Sequence, residues 1–121
     1  MKYYTYIIRC TDNSLYTGMT NDLNKRMEEH FGREKEGAKY TKSHQAQRVE
    51  AVWQSKDKSL ACKLEYRIKT LTKPEKESII KGEKLKTFFS GILDCRKYRA
   101  VKLKNVLDKE YWGWETFGSC P

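Results

Sequence analysis

The chain is 121 residues long and carries 25 Lys and Arg against 16 Asp and Glu, a formal charge of +9. That length holds one compact domain with at most a terminal extension, and an apolar share of 38% implies a small core. The longest apolar runs, such as Tyr6-Ile7-Ile8, are a few residues long, so neither a membrane span nor an export signal is expected.

In chain order, Tyr3-Tyr4-Thr5-Tyr6-Ile7-Ile8-Arg9-Cys10 is aromatic and β-branched and predicts a strand. Thr11-Asp12-Asn13-Ser14 is a turn cluster whose short polar side chains bond the backbone. Leu15-Tyr16-Thr17-Gly18-Met19 predicts the returning strand of a hairpin. Gly18 within it marks a bulge or a close approach, because it has no side chain to pack. Thr20, Asn21 and Asp22 are good N-caps and predict a helix from about Leu23 to Phe31 that stops near Gly32. Gly32 to Arg48 is rich in Gly, Lys and Ser and reads as a long basic loop, and Val49 to Ser55 reads as the third strand. Asp57 or Ser59 caps a helix to about Leu71, with Leu60, Leu64, Ile68 and Leu71 on one face. Pro74 opens another helix through Ile80. Beyond Gly82, Leu85, Phe88, Phe89, Ile92 and Leu93 have helical spacing. The chain then passes through Tyr98-Arg99-Ala100-Val101 to an aromatic end, Tyr111-Trp112-Gly113-Trp114.

The expected fold class is α/β of the α+β type: a small three-stranded antiparallel sheet flanked by helices. Residues 1–81 form the main domain, and residues 82–121 are a helical, aromatic extension packed on it. The basic excess is spread over both parts, +6 in residues 1–81 and +3 in 82–121, which describes one basic body and not a basic tail. Surplus Lys and Arg displace counterions from phosphate backbones, so the expected partner is a nucleic acid. Cys10, Cys62, Cys95 and Cys120 are far apart, and no pair has the spacing that grips zinc.

The informative feature is where polar residues fall. Leu23, Met27 and Phe31 form the apolar stripe of the first helix, and Arg26 and His30, four apart, share the face beside it. An inward Arg needs an anion, either a carboxylate of the protein or a phosphate. Glu65 borders the apolar stripe of its helix; it can pair with Lys69 at i+4, or serve as the single carboxylate with which proteins hold Mg²⁺. Tyr6 and Tyr16, on neighbouring strands, can stack in the core or aim their hydroxyls at the same helix face.

Tyr4-Thr5-Tyr6, Leu15-Tyr16-Thr17-Gly18, Arg26, His30 and Glu65, in this order and spacing, resemble the GIY-YIG endonuclease superfamily. Tyr6 matches the tyrosine that ends the family's first tripeptide, and Tyr16 and Gly18 match its second. Arg26, ten residues after Tyr16, falls on the family Arg, His30 on the His or Tyr that follows it, and Glu65 on the metal-holding Glu. Gly37-Ala38-Lys39-Tyr40-Thr41 resembles a loop of small stand-alone members, which are related to the catalytic domains of branched-DNA resolving and excision-repair nucleases. The first motif is Tyr-Thr-Tyr where the family has Gly-Ile-Tyr, and the second Tyr-Thr-Gly where it has Tyr-Ile-Gly. Residues beyond Gly82 have no counterpart.

The resemblance implies a metal-dependent DNA endonuclease, structure-specific in repair or recombination. Glu65 holds one Mg²⁺ or Mn²⁺, Arg26 binds the phosphate, Tyr16 is the general base, His30 takes or relays its proton, and Tyr6 positions water or phosphate. Arg33, Lys35, Lys39, Tyr40 and Lys42 grip the DNA backbone. The alternative is a non-catalytic nucleic-acid-binding module that has kept the fold. A further possibility is a protein partner, or self-association, through Tyr111, Trp112 and Trp114. The implied location is the cytoplasm, or the nucleus for a eukaryotic or viral source.

Overall fold

The computed structural model describes residues 2–32 and 45–110. Strand β1 (Tyr3–Cys10) is central, flanked by β2 (Leu15–Thr20) and β3 (Ala46–Ser55), both antiparallel to it. A strand's side chains alternate between faces, and β1 is buried on both. Tyr6, Ile8 and Cys10 join Leu23 and Met27 of α1 (Leu23–Gly32) and Val49 and Val52 of β3 in one core. Ile7 faces the other way, into a second core with Trp53 and with Leu64 and Ile68 of α2 (Lys58–Lys69). On that face the Thr5 hydroxyl also donates to the Ala61 carbonyl of α2 at 3.1 Å.

The helix starts follow their caps. Asp57 accepts from the Leu60 amide and opens α2. Thr72 opens α3 (Lys73–Ile80) with a capping box: its hydroxyl accepts from the Glu75 amide, and the Glu75 carboxylate accepts from the Thr72 amide.

The α+β class holds as expected, with three differences of detail. A fourth strand, β4 (Arg99–Ala100), pairs with Trp53 and Gln54 at the edge of β3 and completes the order β2-β1-β3-β4. Strand β3 starts at Ala46, three residues earlier than Val49, because Ala46 and Arg48 pair with Cys10 and Arg9 of β1. The helical spacing from Leu85 to Leu93 yields only a four-residue helix, α4 (Lys86–Phe89). Gly91 in the left-handed region (φ 80°) turns the chain there and leaves Ile92 51% exposed.

Residues 82–110 touch both cores. Leu85, Phe89 and Tyr98 enter the second, where the Tyr98 hydroxyl donates to the Leu60 carbonyl at 2.6 Å. After α5 (Leu103–Val106), Leu107 enters the first, and the Asn24 side chain of α1 bonds the Val106 carbonyl and the Asp108 amide. No helix among the described residues is long and apolar enough to cross a membrane. Among these residues Cys10, Cys62 and Cys95 are free thiols. The aromatic end, Tyr111, Trp112 and Trp114, lies outside the described residues, as do Cys120 and the expected DNA-gripping residues Arg33, Lys35, Lys39, Tyr40 and Lys42.

Candidate active site

The hairpin register builds the site. Tyr6 pairs with Gly18 and Ile8 with Tyr16, so both tyrosines stand on the α1 face as diagonal neighbours. Their ring centroids are 6.2 Å apart with the planes tilted by 47°. Gly18 makes this possible. A Cβ there would lie 2.5 Å from the Tyr6 hydroxyl oxygen, 2.7 Å from its Cζ and 3.1 Å from Cε2 of Tyr16. The ladder runs through Gly18 in regular register, so of the two readings of this glycine, close approach is the one realised; the register shifts lie between β1 and β3.

Helix α1 closes over the tyrosines. Its fully buried residues include Met27 and His30, whereas Phe31, assigned to the apolar stripe from sequence, is only partly buried. The Tyr6 hydroxyl lies 2.9 Å from His30 Nε2, and Arg26 Nε donates to the same hydroxyl at 3.4 Å. An oxygen that accepts from Arg26 is free to donate its hydrogen bond to His30, the assignment in which the imidazole proton lies on Nδ1. Burial, reinforced by the Arg26 charge, pushes the His30 pKa down to about 4, which keeps the ring neutral at pH 7. Burial also holds the Tyr6 hydroxyl well above the usual tyrosine range; the nearby Tyr16 and Glu65 add to that shift, against Arg26. Tyr6 therefore keeps its proton. Tyr16, less buried, packs against His30 with the centroids 5.2 Å apart and the planes tilted by 58°.

Arg26 has a carboxylate partner in the fold. Its Nη1 donates to Glu29 at 2.7 Å, a partly exposed pair three residues apart on α1. Burial opposes its charge, but the bonds to Tyr6 and Glu29 outweigh burial and hold the guanidinium protonated. Arg26 and Glu29 border an open polar cleft of about 390 Å³ with Asn21, Asp22 and Lys25. Glu29 carries no conspicuous signal in the sequence, since a carboxylate three residues after an arginine is ordinary on a helix surface.

Glu65 comes from α2, on the opposite face of the sheet. It pairs with Lys69 at 3.2 Å, the i+4 partner expected from sequence, and Lys69 is 52% exposed, so the pair is weak. The Glu65 carboxylate is near enough to add to the upward shift of the Tyr6 hydroxyl. Thus Tyr6, Tyr16, Arg26 and His30 form one contact cluster with Glu65 at electrostatic range. Among the described residues no three His, Cys, Asp or Glu side chains gather into a metal cage.

Residues 2–78 match the GIY-YIG catalytic domain. The chain belongs to the GIY-YIG family. A GIY-YIG catalytic domain implies nuclease, and hence hydrolase, activity on DNA. The chain is 44% identical over 106 residues to a UPF0213 protein of Fusobacterium nucleatum, covering 88% of this chain and 99% of the relative. It is 44% identical over 81 residues to a UPF0213 protein of Staphylococcus aureus, covering 65% of this chain and 94% of the relative. The solution NMR structure of a UPF0213 protein from Bacillus halodurans, 36% identical, covers 67% of this chain and 84% of that chain with a TM-score of 0.43.

Proposed function

We propose that this GIY-YIG protein is a divalent-metal-dependent DNA endonuclease whose site is Tyr6, Tyr16, Arg26, His30 and Glu65. The observation that carries the reading is the convergence of Arg26 and His30 on the Tyr6 hydroxyl, above a glycine that admits the ring. A purely structural cluster does not need a charged guanidinium at the border of an open cleft.

Hydrolysis forms a bond from a water oxygen to phosphorus and breaks the bond to the 3′-oxygen, which leaves as a hydroxyl once protonated. Tyr16, the less buried tyrosine, takes the proton from the water as its own hydroxyl hydrogen passes to solvent, and a solvent water protonates the departing 3′-oxygen. Tyr6 keeps its proton in the bond to His30, and its oxygen, accepting from Arg26, aims the guanidinium. His30, buried and neutral, positions Tyr6 by accepting from it. Arg26 offers planar, permanently charged donors to the phosphate, where developing charge strengthens the contact. Glu65 fits a hard cation of the Mg²⁺ or Mn²⁺ kind, which takes one or two carboxylates and fills its remaining positions with water and phosphate oxygens. Glu65 would hold such an ion, whose positive charge would offset the charge that develops on the phosphate.

Glu65→Gln is the test, because it removes a charge and keeps the shape. Expected is loss of Mg²⁺-supported cleavage across a panel of linear, nicked, flapped and four-way DNAs, with binding by anisotropy retained. Undiminished cleavage by this variant removes Glu65 from the mechanism. Wild-type binding without cleavage of any of these DNAs favours the non-catalytic binding module.

A further inference from the structure

The outward face of α2 carries chemistry that the cleavage site leaves unused. Ala61, Leu64 and Ile68 turn inward, which leaves Lys58, Ser59, Cys62, Lys63, Tyr66 and Arg67 toward solvent. No carboxylate is in that set; the helix's acid, Glu65, sits at its border and pairs with Lys69. Tyr66 is 63% exposed, and the Arg67 guanidinium lies over its ring, 5.4 Å from the centroid. Beside them, Ser59, Cys62, Lys63, Tyr66 and Arg67 face Ile92 and Leu93 across a groove of about 460 Å³.

This surface combines an aromatic ring, an apolar far wall and basic groups. An unpaired nucleotide has the matching pair of properties, a flat base to stack and a phosphate to neutralise. An apolar peptide would use the groove but not the basic residues, and a closed duplex would meet the basic residues but has no base to offer the ring. Tyr66 follows Glu65 by one position, about 100° around the helix.

We propose that the outer face of α2 is a landing site for an unpaired nucleotide flanking the duplex, its base stacked on Tyr66 and its phosphates met by Lys63 and Arg67. The proposal rests on the nuclease reading for the identity of the polyanion as DNA. It gives that nuclease a preference for duplexes with an overhang, flap or gap beside the cleavage point.

Anisotropy in EDTA, with a blunt duplex and the same duplex bearing a short oligothymidine overhang, tests it without cleavage. Wild type is expected to bind the overhang roughly five- to a hundredfold more tightly, the range of one base–aromatic stack. Tyr66→Ala should erase that difference while leaving blunt-duplex affinity and melting temperature unchanged. Tyr66→Phe should retain the preference. Equal wild-type affinity for the two DNAs, binding of neither, or discrimination that survives Tyr66→Ala overturns the proposal. Cleavage in Mg²⁺ is scored separately: discrimination without cleavage removes the nuclease reading and keeps this surface, and cleavage without discrimination removes the surface alone.

Discussion

At Gly18 the absence of one methyl group decides where two aromatic rings lie. Its would-be Cβ falls 2.5 Å from the Tyr6 hydroxyl oxygen, and the alternative to a clash is rotation of Tyr6 away from His30 and Arg26. Gly18→Ala should therefore cost about 1–3 kcal/mol, as overpacked cores do, and reduce cleavage more than stability; melts beside initial rates measure both. His30 makes a pH prediction. Its folded pKa is about 4, pushed down first by burial and then by Arg26, whereas an unfolded histidine titrates near ~6.5. The unfolded chain thus takes the proton first, and stability falls as pH drops through that window, by on the order of 3 kcal/mol. His30→Gln keeps a neutral acceptor near Tyr6 and removes the titration. Its melting temperature should vary less between pH 7 and 4 than that of wild type, and equal slopes would contradict the assignment. The tyrosine pair was legible in the sequence because strand alternation is rigid. Which of His30 and Phe31 turns inward was not, because that depends on the Tyr6 hydroxyl across the core.

Two arginines join elements in different ways. Arg9 of β1 is nearly buried and ties three elements together: it binds Glu50 of β3 at 2.5 Å, Glu77 of α3 through both Nη atoms, and Asn13 of the turn between β1 and β2. Arg26 binds within its own helix, to Glu29, and to Tyr6. Arg9→Ala leaves Glu50, whose side chain is 10% exposed, with Arg48 alone at 3.2 Å and frees Glu77, and should cost about 3 kcal/mol. Arg26→Ala releases a partly exposed carboxylate to water and should cost about 1 kcal/mol or less, while turnover falls a hundredfold or more on the order set by a lost transition-state donor. Urea melts and single-turnover cleavage of both variants separate the roles; a severe melt for Arg26→Ala with unchanged chemistry per folded molecule would make that residue structural. Nothing in the sequence marked Arg9, because an arginine in an aromatic strand announces no partner 68 residues away in α3. The starts of α2 and α3 were legible for the opposite reason: Asp57, Thr72, Glu75 and Pro74 act within a few residues of themselves. Helix α4 fell short of its apolar spacing because Ser90-Gly91 ends it, and β4 exists only through its partner β3.

For the whole molecule, a charge of +9 makes DNA binding a counterion-release process, and its salt dependence counts the phosphates engaged. Under the proposed function, part of that count belongs to the basic stretch between α1 and β3, which holds Arg33, Lys35, Lys39, Tyr40 and Lys42. Each neutralised phosphate contributes about 0.9 to the slope of log affinity against log salt on duplex DNA. Replacing Lys35, Lys39 and Lys42 together by Gln should flatten that slope by up to about three units and weaken binding to all duplexes alike. Tyr66→Ala should instead leave the duplex slope unchanged, because a stacked base releases no counterion. Titrations of the triple variant and of Tyr66→Ala on one blunt duplex across a salt series therefore divide the basic surface into its parts. An unchanged slope for the triple variant would take these lysines off the backbone and leave duplex affinity to residues such as Lys25 and Arg26 at the cleft beside the tyrosines.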